Sequence, residues 1–381
     1  MIYDLIIIGG GMSGISVAHV FRDRRILLLE RNEIAGEATG KNAGFIISGF
    51  GEHFRRTATR WGMERAVEIQ RIHLSNHRRI SELAVDAGCG YNRTGSLALA
   101  FDEAEQQELL ASHQMMLDTG FSVEWLEHPD TGLAQKRGAL LNREDACMDG
   151  KAFWKWLARD LPVEIASVTG IGRSGRNHRV MTTAGNYETG HLVYCLNAFS
   201  AQLVDELRGR YIPLRGQMVE YELMAPPPTP RPIYARYGDL YWRFVNGHLI
   251  FGGLEDEAPD EETGIAAEPS PRILEAQREW IGRSFRKGLV VEHPSRAWCS
   301  TMAFTVDGFP FVGELSQPGT YVLAGLCGLG HGYAMECASW LRELIVEGRD
   351  VIPTYFSSDR IGSLPRYEGG PWRNQYEAWN H

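Results

Sequence analysis

The segment that most constrains this chain is its start, Asp4-Leu5-Ile6-Ile7-Ile8-Gly9-Gly10-Gly11-Met12-Ser13-Gly14, followed by Arg25-Ile26-Leu27-Leu28-Leu29-Glu30. It reads as a buried strand, a tight glycine turn, a helix over about Ser13–Phe21, and a second buried strand ending in a carboxylate. Gly9, Gly11 and Gly14 fit G-x-G-x-x-G. The first glycine makes the turn, the second lets backbone approach a pyrophosphate, and the third lets helix pack on strand. The helix points its N-terminal N–H groups and positive dipole end at the phosphates. Glu30 stands where a carboxylate accepts hydrogen bonds from both hydroxyls of an unphosphorylated ribose, so FAD or NAD is expected rather than NADP. A glycine turn without a ligand leaves three successive glycines at a helix start unexplained, since each costs stability.

A chain of 381 residues can bury a large core and is expected to form two domains. With 44% apolar and 23% charged residues the composition is that of an ordinary globular protein. The net charge of -9 argues against a nucleic-acid surface. No apolar run is long enough to span a bilayer. The N-terminal run lacks the basic flank of a signal peptide. Cys89, Cys147, Cys195, Cys299, Cys327 and Cys337 are scattered without metal spacing, so reduced thiols in a cytoplasm are the expected state. The histidines form no ligand cluster, and no metal site is expected.

Residues 31–50 form a loop rich in Gly, Ala and Ser around Ala38-Thr39-Gly40-Lys41-Asn42-Ala43-Gly44, which lets backbone approach a flat ligand. A long helix is expected over 62–87, a strand over 94–100, a surface helix over 104–117 and a short helix over 151–161. Residues 162–194 alternate as a β-meander. Residues 211–217 open a second set of strands, and 240–253 form a hairpin around Asn246-Gly247. The acidic stretch 255–268 reads as a solvated connection. Residues 319–325 read as a buried strand entering Leu326-Cys327-Gly328-Leu329-Gly330-His331-Gly332, with a helix from about Tyr333 to Glu347. That helix start can hold a second electron-rich part of a ligand.

In this order the pieces resemble the FAD-dependent D-amino-acid oxidase, glycine oxidase and sarcosine oxidase superfamily. The residues that carry the resemblance are Gly9-x-Gly11-x-x-Gly14 with Glu30-Arg31, Thr39 to Gly44, Trp298 to Gly313, and Gly328 to Gly332. It implies an α/β (α+β) fold: a Rossmann-type FAD-binding domain and a substrate domain with a large antiparallel sheet. The expected division is 1–87, 145–210 and 290–350 for the flavin, 88–144 and 211–289 for the substrate, and a tail at 351–381. It places Gly9, Gly11, Met12, Ser13 and Gly14 under the pyrophosphate, and Glu30 and Arg31 at the adenosine. Val168 would meet the adenine, Thr39, Lys41, Asn42 and Ala43 the phosphate-to-flavin stretch. Gly328, Leu329, Gly330, His331 and Gly332 would border the pyrimidine ring. There Gly330 and Gly332 N–H groups could stabilise negative charge on reduced flavin.

Three departures shape the expected chemistry. In the related W-x-G-x-R segment an arginine holds the substrate carboxylate, and here Met302 takes its place. Ser300 stands where some relatives attach flavin through cysteine, so noncovalent FAD is expected. Ala334 stands where those relatives carry a lysine. Losing a bidentate guanidinium disfavours a small α-amino acid. The pattern at Leu196–Phe199 and Gly328–Gly332 leans toward the gamma-glutamylputrescine oxidase branch, which implies hydride transfer from an amine to flavin and then to O2 or another acceptor. The alternatives are an amino-acid or N-methyl-amino-acid oxidoreductase using Lys41, Arg243 or another cation, a non-catalytic flavin-binding protein, and an NAD-only dehydrogenase.

Tyr241 and Arg243 lie one strand period apart and share a sheet face. Either that face lines the cavity, with Tyr241 on the amine and Arg243 on a remote anion, or it is a solvated pair. His331 either touches flavin and substrate or is satisfied by its loop. Met302 either forms the substrate wall or fills core. Trp242 and Trp298 read as packing, and Cys299 as a buried thiol.

Overall fold

A computed structural model describes residues 2–135, 137–265 and 267–370. The tail expectation for 371–381 lies outside the described residues. The apolar runs of the N-terminal motif become the adjacent parallel strands Ile2–Ile8 and Ile26–Glu30, in register from Leu5 opposite Ile26 to Ile8 opposite Leu29. Leu5, Ile6, Ile7 and Ile8 are all buried, which requires cover on both sheet faces. The first eight-stranded sheet continues through Gly185–Tyr194 and Thr320–Ala324, both parallel, to the antiparallel edge Phe311–Glu314. Val163–Ile165 extends the other side, and the antiparallel strands Val168–Ser174 and Asn177–Thr182 branch from Gly185–Tyr194. Helices Met12–Val20 and Gly330–Glu347 pack together on one face of it. The long helix Met63–Ala84 lies against the second of these.

The second eight-stranded sheet runs, in spatial order, through Arg296–Thr305, Tyr211–Glu222, His248–Gly253, Leu240–Val245, Ile233–Ala235, Ser96–Leu99, Ala139–Asn142 and Val123–Leu126. All its pairs are antiparallel except Ile233–Ala235 with Ser96–Leu99. Alternation gives it an outer face where Trp242, Phe251, Trp280 and Phe285 interlock beneath helix Pro271–Ser284. Its inner face looks toward the glycine loops of the first sheet. The chain is therefore a mixed α/β protein with a Rossmann-type unit and a large, mainly antiparallel sheet.

Three local expectations change. The strand Arg296–Thr305 was expected with the flavin unit, yet it pairs along its whole length with Tyr211–Glu222, from Thr305 opposite Tyr211 to Arg296 opposite Glu220. The last helix starts at Gly330, three residues before the expected Tyr333. Poor intrinsic propensity of Gly330 and Gly332 is overridden by packing, since a Cβ on Gly330 would stand 2.2 Å from the Met12 Sδ. The acidic stretch after Glu255 is a solvated connection only in part: Glu257, Asp260, Glu261 and Glu268 are exposed, but one acid turns inward. Glu262 is fully buried, and its carboxylate accepts from Arg215 Nε and Nη2 at 3.0 and 2.7 Å. A buried arginine supplies the partner that water would otherwise provide.

Candidate functional site

The two inner faces enclose a cavity of about 1230 Å³ that runs from Glu30 and Val168 to Tyr241 and Glu255. At one end the glycine turn meets the geometry its motif requires. Gly9 has φ +110°, and a Cβ on Gly14 would lie 1.8 Å from the Gly9 carbonyl oxygen. Gly11 differs, because a Cβ there would meet only Thr39 Oγ1, at 3.2 Å. Gly9 and Gly14 thus close the turn, while Gly11 presents bare backbone to the cavity. Met12 and Ser13 line it beside them. The Met12 N–H donates to Thr39 Oγ1 at 2.9 Å, tying the loop to the helix start.

Glu30 lies at the rim of the same end. Its carboxylate accepts from Gly10 N at 2.8 Å and Asn32 N at 2.9 Å, which fixes its direction and leaves lone pairs for a ribose. Arg31 stacks over Phe199 at 4.4 Å, and Val168 lines the wall with Ala166 and Ser167. The loop after Thr39 is shaped by Asn42, whose amide donates to Ala38 O and Thr39 O while its oxygen accepts from Gly44 N. Lys41 faces Glu37 at 3.4 Å, and its carbonyl accepts from Trp298 Nε1 at 2.9 Å. Ala43 is buried against the cavity.

The second glycine loop closes the cavity's middle. Gly328, Leu329, Gly330, His331 and Gly332 all line it. The Gly332 N–H does not face a ligand as expected, because it donates to Leu329 O at 2.7 Å in a tightened first turn. His331 is buried, stacked on Trp154 at 6.1 Å, with Nδ1 3.2 Å from Phe45 O. A carbonyl only accepts, so Nδ1 carries the hydrogen and Nε2, which has no protein partner, presents a lone pair. Burial, with a smaller contribution from Arg243, lowers the His331 pKa to about 4, so the ring is neutral.

On the opposite wall Met302 and Tyr241 converge. A Cβ on Gly216 would meet Met302 Cε at 2.9 Å and the Tyr241 hydroxyl at 3.8 Å. Met302 therefore forms wall. Burial drives the Tyr241 phenol far above its ordinary pKa, so it keeps its proton. Arg243 shares the face of Tyr241 but does not reach the cavity, nor is it a solvated pair. It is buried beneath the Gly44 backbone and donates to Met148 O at 3.0 Å. Both readings of Arg243, a cavity anion site or a solvated pair, are thereby corrected: the loop carrying Gly44 and Met148 covers it. Trp242 is core, and Cys299 is a buried thiol.

Several site residues carried no motif. Asn76, fully buried, donates to His331 O at 2.7 Å and accepts from Met335 N at 3.0 Å and Glu336 N at 3.2 Å, pinning the helix start. Polar residues His73, Asn76 and His77 within the buried stripe of helix Met63–Ala84 were the available signal. Arg236, Tyr237, Asn197 and Cys327 line the cavity with positive φ, a strained conformation that collects at functional sites. Among the described residues no cluster of potential metal ligands occurs, and no helix is long and apolar enough to cross a membrane.

Comparison with known proteins gives the same direction. An L-2-hydroxyglutarate dehydrogenase of Escherichia coli is 26% identical over 284 residues, 66% of this chain and 63% of that protein. A glycine oxidase of Bacillus licheniformis is 27% identical over 234 residues, 56% of this chain and 60% of its own length. The chain thus spans less than two thirds of the length of these curated relatives. The fold matches an L-proline dehydrogenase structure from P. horikoshii with a TM-score of 0.75 at 19% identity, over 95% of this chain and 98% of the other. The model of the DAO family, FAD dependent oxidoreductase, matches residues 4–344, and the chain belongs to that FAD-dependent family.

Proposed function

We propose that this chain oxidises the C–N bond of an amine that lacks an α-carboxylate. The observation that carries the reading is the charge of the wall facing the second glycine loop. Met302 occupies that wall, and the cavity's arginines there are already engaged: Arg215 with Glu262, Arg236 with Asp256 at 3.1 Å, Arg56 with Glu108 at 3.9 Å. A substrate carboxylate would enter without a free guanidinium, at the cost of its desolvation.

The cavity's shape and backbone suit FAD. Gly9, Gly11, Met12, Ser13 and Gly14 would hold the pyrophosphate, Glu30, Arg31 and Val168 the adenosine. Thr39, Lys41, Asn42 and Ala43 would hold the stretch toward the flavin, and Gly328 to Gly332 the pyrimidine side. When bound, FAD supplies the acceptor for a hydride from the amine's α-carbon, leaving an imine for water to hydrolyse. The residues around it orient and exclude. His331 Nε2 accepts an N–H, the Tyr241 hydroxyl donates or accepts at the opposite wall, and Met302 keeps the α-carbon dry. A neutral His331 adds no positive charge to repel an amine. The buried free cysteines fit a reducing cytoplasm.

A second reading, an amino-acid or 2-hydroxy-acid oxidoreductase, draws on the named relatives. It requires Lys41 or one of the engaged arginines to leave its carboxylate. Anaerobic bleaching of the FAD-loaded protein by n-butylamine, glycine, sarcosine and 2-hydroxyglutarate separates the two. Faster reduction by the amine supports the proposal, and faster reduction by any of the acids overturns it.

A further inference from the structure

One turn of the cavity wall is held in a conformation that its residues do not favour. Arg236, Tyr237 and Gly238 are successive left-handed residues, with φ +50°, +56° and +90°, and all three line the cavity. Glycine takes such a φ at no steric cost, whereas arginine and tyrosine hold it only where their surroundings dictate it. The turn joins Ile233–Ala235 to Leu240–Val245, two strands that pair with each other. It also lies against the loop at Gly51, since a Cβ on Gly238 would stand 3.0 Å from Gly51 O.

A buried ion pair supplies the constraint. Asp102 caps helix Glu103–Asp118 by accepting from Glu105 N at 2.8 Å. Glu105, 1% exposed, reaches back past the cap, where its Oε2 accepts from Phe101 N at 2.7 Å. Its Oε1 accepts from Tyr237 N at 2.9 Å and lies 3.2 Å from His53 Nε2. His53, 3% exposed, puts Nδ1 3.2 Å from Glu108 Oε2. An ionised carboxylate only accepts, so both ring nitrogens carry hydrogens and the ring is the cation between two carboxylates. The same ring packs on the Tyr237 ring at 4.7 Å, and Arg56 lies over Tyr237 at 4.4 Å.

The position of this turn gives it a use. FAD seated as proposed above occupies the cavity from Glu30 to Gly332. The lining beyond it includes Phe101, Asp102, Arg236 and Tyr237, and Asp102 is exposed, so this end meets solvent. Arg236 lies over the Phe101 ring at 5.7 Å, which carries the turn across that end.

Resting on that FAD placement and not on the amine assignment, we propose that the Arg236–Gly238 turn is the gate of the substrate chamber. Glu105, with His53 behind it, is the positioning residue that holds the gate shut. Substrate enters when the Tyr237 N–H leaves Glu105 and the turn relaxes from its left-handed conformation. The strain of two left-handed residues with side chains opposes a charge-assisted bond of similar size, so the held and released forms lie close in energy.

The test is anaerobic stopped-flow reduction of the FAD-loaded full chain, wild type and Glu105→Gln. The reductants are dithionite and the fastest of n-butylamine, glycine, sarcosine and 2-hydroxyglutarate. An amide has one acceptor oxygen for the Phe101 and Tyr237 N–H groups, so the variant loosens the turn. Its second-order rate constants should rise at least about threefold with both reductants, part of what one charge-assisted bond shifts. The limiting rate for the substrate and the FAD affinity should not change. In the FAD-loaded wild type, amides 236–238 should exchange hydrogen at least about tenfold faster than those of strand Leu240–Val245. Unchanged second-order constants overturn the gate, as does a limiting rate that moves as much as entry does. Should Glu105→Gln not fold, wild-type exchange at 236–238 no faster than in the strand overturns it. A loss of FAD affinity in a folded variant removes the FAD placement itself, and the identity of the fastest substrate bears on the amine reading alone.

Discussion

Glu30 and the buried histidines carry the sharpest expectations at the scale of single residues. The Glu30 carboxylate is aimed by Gly10 and Asn32 N–H groups, so its remaining lone pairs are set for a ribose. Glu30→Ala removes charged acceptors worth about 1.5–3 kcal/mol each. FAD affinity, measured by titrating the apoprotein, should fall at least about tenfold, and unchanged affinity would put the ribose elsewhere. His73 and His77 are buried beneath Ile47, and burial lowers both to about 3. A histidine depressed in the folded state contributes stability that is full above the unfolded value near 6.5 and lost as pH falls toward 3. Asp145 opposes this, since burial raises it to about 7 and its contribution fades as pH rises through that value. The urea midpoint should therefore fall from pH 6.5 to pH 4, less steeply in His73→Phe and more steeply in Asp145→Asn.

At the scale of elements, the glycines separate folding from binding. A Cβ on Gly14 collides with the Gly9 backbone at 1.8 Å, while one on Gly11 meets only Thr39 Oγ1 at 3.2 Å. Gly14→Ala should lose at least about 1–3 kcal/mol by overpacking, whereas Gly11→Ala should keep its thermal midpoint without cofactor and bind FAD weakly. Thermal melts of both apoproteins beside FAD titrations check this pair. These elements were legible in sequence because strand, turn, helix and terminal acid are contiguous, and each local preference agrees with the next. The helix start at Gly330 was not, because it depends on Met12, more than 300 residues away. The Arg215–Glu262 pair was hidden for the same reason, and a stretch rich in acids looked solvated until a buried arginine was folded against it.

For the whole molecule, the two sheets bring together loops that the sequence holds far apart, and the cavity between them is lined by Glu30 and Val168, by the second glycine loop, and by Tyr241 and Glu255. The paired positions of Tyr241 and Arg243 were legible as one face. That only Tyr241 reaches the cavity was not, because the cover over Arg243 comes from Gly44 and Met148. The FAD should be noncovalent, since Ser300 offers no thiol and burial holds the Cys299 thiol above its ordinary value. Acid precipitation should leave the yellow colour in the supernatant, and a flavinylated peptide containing Cys299 would contradict this. On the reading proposed above, this cavity takes an amine without an adjacent carboxylate. The most direct measurement is the anaerobic rate of flavin reduction by n-butylamine beside its α-carboxylated counterpart, norvaline in both enantiomers. The amine should reduce the flavin at least about tenfold faster at equal concentration, for want of a free guanidinium. Faster reduction by either enantiomer of norvaline would contradict it.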